Sequence, residues 1–334
     1  MIHIYLDAMG GDNAPLSTVE GAIEALRADK ELKITLAGDL QKIEPLLKDC
    51  DDVKDRIALD HTSQVITNHD APVMAVRQMK DSAIVKGMLA VRDKTVDGFV
   101  SAGSTGAVLA GGMFRLGRIE GIDRPALAPL LPNGKGFFLL IDCGANVDCK
   151  PEYLRQFGIM GDAYMRCVRG LKKPRVGLIN IGAEAEKGNA LTKEAYPLMQ
   201  DAPFYFVGNV EGRDITGDVA DVCVADGFSG NLILKFMEGV AGTLMGIIKE
   251  EIMGDTRSKL GGLVAKPAFR RVKKRMDYTE VGGAPLLGVK GAVVKAHGSC
   301  NAHAMACAIR QCTQMVRENV AGAIENALTG NAAE

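Results

Sequence analysis

Along this 334-residue chain, apolar runs of four to seven residues take turns with stretches of helical periodicity, and glycine-rich loops separate many of them. The pattern predicts strands at 2–6, 33–37, 56–59, 98–101, 136–142, 175–179, 204–207, 222–225 and 291–296. Helices are predicted at 16–29, 83–93, 107–116, 151–169, 191–199, 231–252 and 301–328. Strand and helix in alternation over the whole length require an α/β fold, with a mostly parallel sheet covered on both faces. No repeat, low-complexity stretch or Pro/Ser-rich linker divides the chain, so one unit is expected over 1–330.

The glycine-rich loops are informative because of where they fall. Asp7 to Pro15 (DAMGGDNAP) follows the first strand, Ser101 to Ala107 (SAGSTGA) the fourth, Asp142 to Asn146 (DCGAN) the fifth and Asn180 to Asn189 (NIGAEAEKGN) the sixth. DGFSGN from Asp226 and HGSCNAHA from His297 follow the last two. In an open parallel sheet the carboxyl ends of the strands share one edge, so these loops are placed to converge on one crevice. A helix follows each loop, and the free N–H groups of its first turn favour an anion. The set suggests a phosphate or a phosphorylated ligand, although any one glycine also serves as an ordinary turn residue. Gly10, Gly11, Asp12, Ser101, Gly103, Ser104, Thr105, Gly106, Asn146, Asn180, Gly182 and Ser229 are the candidate phosphate- or substrate-binding residues. Asp7, Asp12, Asp142 and Asn146 are expected to brace the loops or to face a lysine rather than to touch phosphate.

Other chemistries lack their signals. The chain contains neither G-x-x-x-x-G-K-[ST] nor G-x-G-x-x-G, and Gly227 to Asn231 lacks the last glycine of a nucleophile elbow. Eight cysteines without a C-x-x-C pair, and five histidines without H-x-x-x-H, offer no zinc spacing, so no metal or organic cofactor is expected and the thiols are read as free. Forty Lys and Arg against 41 Asp and Glu give a net charge of −1, which provides no global field for nucleic acid. The uncharged stretch 98–114 holds five glycines among its 17 residues, poor material for a membrane span, and the first 15 residues lack the pattern of a secretory signal. A cytoplasmic protein without a spanning helix is therefore expected.

With DAMGGD, SAG-x-TGA, DCGANVD, GLINIGAEAEKGN, GNVEGRD, DGFSGN-x-x-LK-x-x-EG, GGAPLLG and a late K-x-HG in this order, the chain resembles the bacterial phosphate acyltransferases of phospholipid synthesis, the PlsX family. The resemblance covers about Ile4 to Ile324. Ser104 departs from the family pattern SAGNTGA, and Ala183 from NIGEE. The resemblance implies a three-layer α/β/α sandwich similar to phosphate acetyltransferases and isocitrate dehydrogenases, a homodimer, and reversible transfer of a long-chain acyl group from acyl carrier protein to inorganic phosphate. The acyl phosphate would pass to a membrane-bound glycerol-3-phosphate acyltransferase. Two rivals remain open: a CoA-dependent short-chain phosphate acyltransferase, and a non-catalytic scaffold for acyl carrier protein at the membrane.

Phosphate near neutral pH is already an oxygen nucleophile, so a thioester requires no covalent enzyme intermediate, only positioning, oxyanion stabilisation and help for the departing thiolate. Lys187 offers positive charge, Asn231 a neutral oxyanion donor and His297 a proton for sulfur; these are the candidate catalytic residues. Each also has a plainer use, as a solvated lysine, a helix cap and a turn histidine.

From Asp255 to Arg275 the chain carries eight Lys or Arg against one Asp, a local charge of +7. With the apolar residues Leu260, Leu263 and Val264 among the basic Lys266, Arg270, Arg271, Lys273 and Lys274, the mixture suits the surface of an anionic bilayer. The family resemblance likewise implies peripheral membrane association through a helical hairpin, placed at 237–275. The same patch also suits acidic acyl carrier protein, or a solvated face with a dimer contact.

Overall fold

A computed structural model describes residues 1–276 and 281–330, the side chains of 273–276 excepted. Lys273 and Lys274 therefore lie outside the residues whose side chains are described. The first half runs β1 (Ile2–Asp7), α1 (Leu16–Ala28), β2 (Leu32–Gly38), α2 (Leu40–Ile43), β3 (Ile57–His61), α3 (Pro72–Gln78), α4 (Ala83–Arg92), β4 (Gly98–Ser101), α5 (Thr105–Gly111), β5 (Ala126–Leu127), β6 (Leu130–Pro132) and β7 (Phe137–Ile141). It continues through α6 (Pro151–Arg169), β8 (Arg175–Asn180), α7 (Ala190–Gln200), β9 (Tyr205–Glu211), β10 (Val222–Val224), α8 (Gly227–Gly254), α9 (Thr256–Met276), β11 (Ala284–Leu287), β12 (Ala292–Lys295), α10 (Ala302–Arg317) and α11 (Val320–Thr329).

The strands form two sheets. One has the order β3-β2-β1-β4-β12-β11-β5 and the other β6-β7-β10-β8-β9. From β3 to β12 the first is parallel, as is the second from β7 to β9; the antiparallel strands β11, β5 and β6 lie where the sheets meet. Residues 126–132 join them, since β5 pairs with β11 in one sheet and β6 with β7 in the other. Pro129 separates the two pairings, and its carbonyl accepts the N–H of Leu140 at 3.1 Å.

The period of two explains the layers. Along the strands, Ile4, Leu6, Val100, Leu139, Ile141 and Val294 point into one buried cluster shared with α1, α6 and α10. Their neighbours Tyr5, Phe99, Phe138, Leu140 and Val293 point into a second, shared with α4 and α5. Alternate residues of the same strands thus fill two cores on opposite faces, the three-layer α/β/α sandwich expected. Burying an aliphatic or aromatic side chain of this size contributes roughly 1.5–3 kcal/mol, so this alternation is the main source of stability.

One expectation changes, and two features are added to the sequence reading. The helix predicted at 301–328 is two helices, because Asn319 takes φ 45°, a left-handed conformation that Asn tolerates and that turns the chain onto α6. The span 237–275 lies within two consecutive helices, α8 and α9; Asp255 caps the second by accepting the N–H of Ser258 at 2.9 Å. Near their joint Gly262 faces Ile252 so closely that an added Cβ would sit 2.4 Å from it. By length and composition α8 is also apolar enough to cross a bilayer, with none of its most apolar 18-residue window buried. The sequence reading missed this because Lys235, Glu238 and the glycines interrupt the run.

Candidate functional site

Two adjoining cavities open at the carboxyl ends of the strands. The first, of about 360 Å³, is walled by the loop after β1 (Met9 to Asp12), the loop after β4 (Ala102 to Thr105) and residues 65–69 between β3 and α3. The second, of about 410 Å³, has an apolar wall of Leu127, Pro129, Leu130, Leu131 and Leu234, and a polar rim of Asn231, Lys235, Glu238 and His297. Thr105, Lys295 and Gly298 line both. Each volume lies within the range of small-molecule sites.

The walls of the first cavity are held by the chain itself. Asp12 donates its N–H to the carbonyl of Gly298 at 2.7 Å, and the Asn13 amide reaches the carbonyls of Ser299 and Cys300 at 3.2 Å each, stitching the first loop to the last. Asp7 is buried and accepts the Ser101 hydroxyl at 2.7 Å and the Met9 N–H at 3.1 Å, while the Ser101 oxygen accepts the Gly103 N–H at 2.9 Å. Burial pushes the Asp7 carboxyl above the usual range despite these bonds. The loops approach so closely at Gly10 that a Cβ would lie 2.6 Å from both Asp7 Oδ2 and the Gly103 nitrogen, and Gly11 takes φ 101°, so glycine is required at both. Gly10, Gly11, Asp12, Gly103, Ser104 and Thr105 thus line one cavity, with Ser101 as a brace beneath it. Gly106 packs on Pro72 of α3 instead.

At the seam stands Lys295, the last residue of β12, only 9% exposed. Its ammonium donates to the carbonyl of Ala102 at 3.3 Å and to that of Ala296. Burial pulls its pKa down to about 8, against the pull of Cys300, Asp7 and Asp12.

The rim of the second cavity depends on the end of β7. Asp142 is fully buried and accepts the N–H groups of Leu127 (2.9 Å), Ala145 (3.2 Å) and Asn146 (2.7 Å), and burial pushes its pKa up to about 6. Asn231 lies against Gly144 of that loop. His297 Nδ1 accepts the Ser299 N–H at 3.2 Å and lies 2.8 Å from the Ser299 hydroxyl, which fixes the ring at the rim. Cys143 also lines this cavity, but burial holds its thiol well above the ordinary value, so it is no thiolate nucleophile.

Other expected residues lie elsewhere. The Asn146 side chain donates to Pro125 O and to Asp142, at 2.8 and 3.0 Å, and braces its loop. The Ser229 hydroxyl donates to Asp226, the cap of α8, at 2.8 Å. Asn180 pins the loop after β8 by donating to the Lys187 carbonyl at 3.1 Å; Gly182 is buried there and the Lys187 side chain is exposed. That loop lines neither cavity, because β10 lies between β8 and β7. Among the described residues no group of three His, Cys, Asp or Glu is arranged to hold a metal ion. The sequence reading missed residues 65–69, Lys295 and the leucines of 127–131.

Comparison with known proteins places this geometry. The family model described as fatty acid synthesis protein matches residues 2–323. A phosphate acyltransferase of Alkaliphilus oremlandii is 50% identical over 317 residues, covering 95% of this chain and 94% of the relative. That of Lysinibacillus sphaericus is 50% identical over 323 residues, covering 96% of each, and one from Clostridium botulinum is 48% identical over 331 residues, covering 99% of this chain and 98% of the relative. Among solved structures, a phosphotransacetylase of Streptococcus pyogenes matches with a TM-score of 0.64 at 15% identity, covering 95% of this chain and 94% of the other. A branched-chain phosphotransacylase of Enterococcus faecalis matches with a TM-score of 0.58 at 14% identity, covering 95% and 99%; at these identities the likeness shows the fold alone.

Proposed function

We propose, from the premise that the chain belongs to the fatty acid synthesis protein family and is one of its phosphate acyltransferases, that its donor is a long-chain acyl group on acyl carrier protein and its acceptor inorganic phosphate. The observation that carries this reading is the pairing of a polar, glycine-walled cavity with an apolar one across a shared seam. Phosphate takes the first, against the backbone N–H groups of Ser104 and Thr105; the thioester and the start of the acyl chain take the second. A phosphate oxygen bonds to the carbonyl carbon while the Asn231 amide donates to the developing oxyanion. The C–S bond then breaks with its electron pair on sulfur, which His297 steadies by a hydrogen bond, and the proton given up by the attacking phosphate passes through solvent to that thiolate, so that acyl phosphate and free thiol result. The step is reversible, and its product is an activated acyl group for phospholipid synthesis by a membrane-bound glycerol-3-phosphate acyltransferase.

The test is direct: the protein is mixed with palmitoyl-acyl carrier protein and phosphate, acyl phosphate is trapped as its hydroxamate, and released thiol is counted. Equal, phosphate-dependent yields are expected. Reaction with acyl-CoA alone would reassign the donor to CoA, and no product from any donor would leave a scaffold.

We read α8 and α9 as a hairpin lying on the cytoplasmic membrane surface rather than spanning it. Asn231, Leu234, Lys235 and Glu238 in the first turns of α8 line the acyl cavity, and the return helix is strongly basic. Near the tip Met253, Leu260, Leu263 and Val264 are exposed among Lys266, Arg270 and Arg271, and each basic residue near an anionic surface contributes roughly 1 kcal/mol. The exposed stripe Phe228, Leu232, Phe236, Val240, Leu244 and Ile247, spaced by three or four residues along α8, is the face we assign to a second copy in a homodimer. Replacing Leu263 and Val264 together by Glu is expected to remove most co-sedimentation with anionic liposomes while turnover of soluble substrate stays within twofold. Unchanged co-sedimentation would refute the membrane role.

A further inference from the structure

We propose that Lys295 is a catalytic residue of this site, the fixed cation that holds the attacking phosphate on one side and the thioester carbonyl oxygen on the other. The inference rests on the acyl-transfer reading above. Lys295 lines both cavities, and its place is set by pairing on both sides, with Ser101 of β4 and Ala284 of β11. An ammonium has three donors. Two are directed to the carbonyls of Ala102 and Ala296, which leaves one for a ligand in the cavities that Lys295 lines.

The charge accounting supports a ligand. A nearly buried ammonium is costly unless an anion answers it. Yet among the described residues no carboxylate lies within ion-pair distance of Lys295: Asp7 is engaged by Ser101 and Met9, and Asp12 faces it only from the loop beyond. The remaining groups that act on it are Cys300 on the following loop and Lys235 on α8. An unanswered buried cation between a polar and an apolar cavity suits a dianion and a polarised carbonyl arriving together. In the step already described, the ammonium forms no covalent bond and keeps its proton; it offsets charge as the C–O bond forms and negative charge moves from phosphate to the carbonyl oxygen.

Because burial lowers the Lys295 pKa to about 8, its charge is present at neutral pH and lost as pH rises through that value. For the unmodified protein, kcat/KM for phosphate is expected to bend downward near pH 8, since this quantity reports groups of the free enzyme. In Lys295→Arg, whose guanidinium stays charged, the bend should disappear while part of the activity returns. Lys295→Met keeps the aliphatic stem and removes the buried charge. It should melt at or above the temperature of the unmodified protein, yet lose at least 100-fold in turnover of palmitoyl-acyl carrier protein with phosphate, the scale of a lost transition-state donor. Turnover of Lys295→Met within threefold of the unmodified protein would overturn the proposal. Should that variant fail to fold, an alkaline bend at the same pH in Lys295→Arg would overturn it equally. An unmodified protein that forms acyl phosphate from no donor would overturn both this inference and the reading beneath it.

Discussion

Gly230→Ala is expected to cost about 3 kcal/mol of stability and to lower turnover by two orders of magnitude, the first effect being at the upper end of the usual range for overpacking. A Cβ at this position would lie 1.9 Å from the carbonyl oxygen of Asp142, and neither side has room to yield. The Asp142 N–H donates to the Ala225 carbonyl at 3.0 Å, the Ala225 N–H returns to the Ile141 carbonyl at 2.7 Å, and the Asp142 carboxylate gathers three further backbone N–H groups. The ends of β7 and β10 are thus locked, so α8 must lift, and Asn231 moves with it. Alanine gains about 1 kcal/mol over glycine in a helix interior, which the clash exceeds. Gly239→Ala, on the same helix with nothing within 4 Å of its Cβ, supplies the control: there only the helix propensity acts, and stability should rise. Equilibrium denaturation of the two variants beside turnover checks the pair. Equal stability of Gly230→Ala and the unmodified protein would contradict the close approach.

The parallel frame was legible because its strands are buried on both faces. Residues 98–101 and 151–169 were delimited to the residue, and most other ends fall within two or three positions. The strands β5, β6 and β11 were missed for a physical reason: each has two to four residues and pairs antiparallel, with Pro129, Pro132 and Pro285 interrupting the pattern of a longer strand. Nor does a period of two say which sheet a strand joins. The exchange at Pro129 that creates two sheets depends on pairings between distant segments, and no local pattern records it.

The site was half legible on the same grounds. Glycine loops after strands pointed to Gly10, Gly11, Ser104, Thr105 and Asn231, because close backbone approach leaves a mark in the sequence. Polar residues in those loops were harder to sort, and Asn146, Asn180 and Ser229 turn inward to pin their own turns. The order of strands, invisible locally, sets Lys187 beyond β10 and away from both cavities. Lys295 did leave a signal: a lysine closing an apolar run that the fold buries on both faces is out of keeping with its surroundings. A strand read only for its apolar residues hides the one that carries charge.

Asn231→Ala should lower kcat by 10²- to 10³-fold, roughly 3 kcal/mol of transition-state stabilisation, with KM for phosphate and for the acyl donor within twofold. The side chain is exposed, so its loss leaves no cavity, and alanine favours the helix slightly; the melting temperature should hold or rise. Asn231→Asp keeps the shape but replaces the donor with a charged acceptor beside the developing oxyanion, so its turnover should fall below that of the alanine variant. A kcat within tenfold of the unmodified protein in Asn231→Ala would remove the amide from the mechanism. Combination with Lys295→Met asks whether the two groups hold one oxygen. If both act on the thioester carbonyl, the double variant should fall well short of the product of the single losses, because the first substitution already leaves the oxyanion poorly held. Full multiplicativity would instead confine Lys295 to the phosphate side of the seam and leave Asn231 as the donor to the carbonyl.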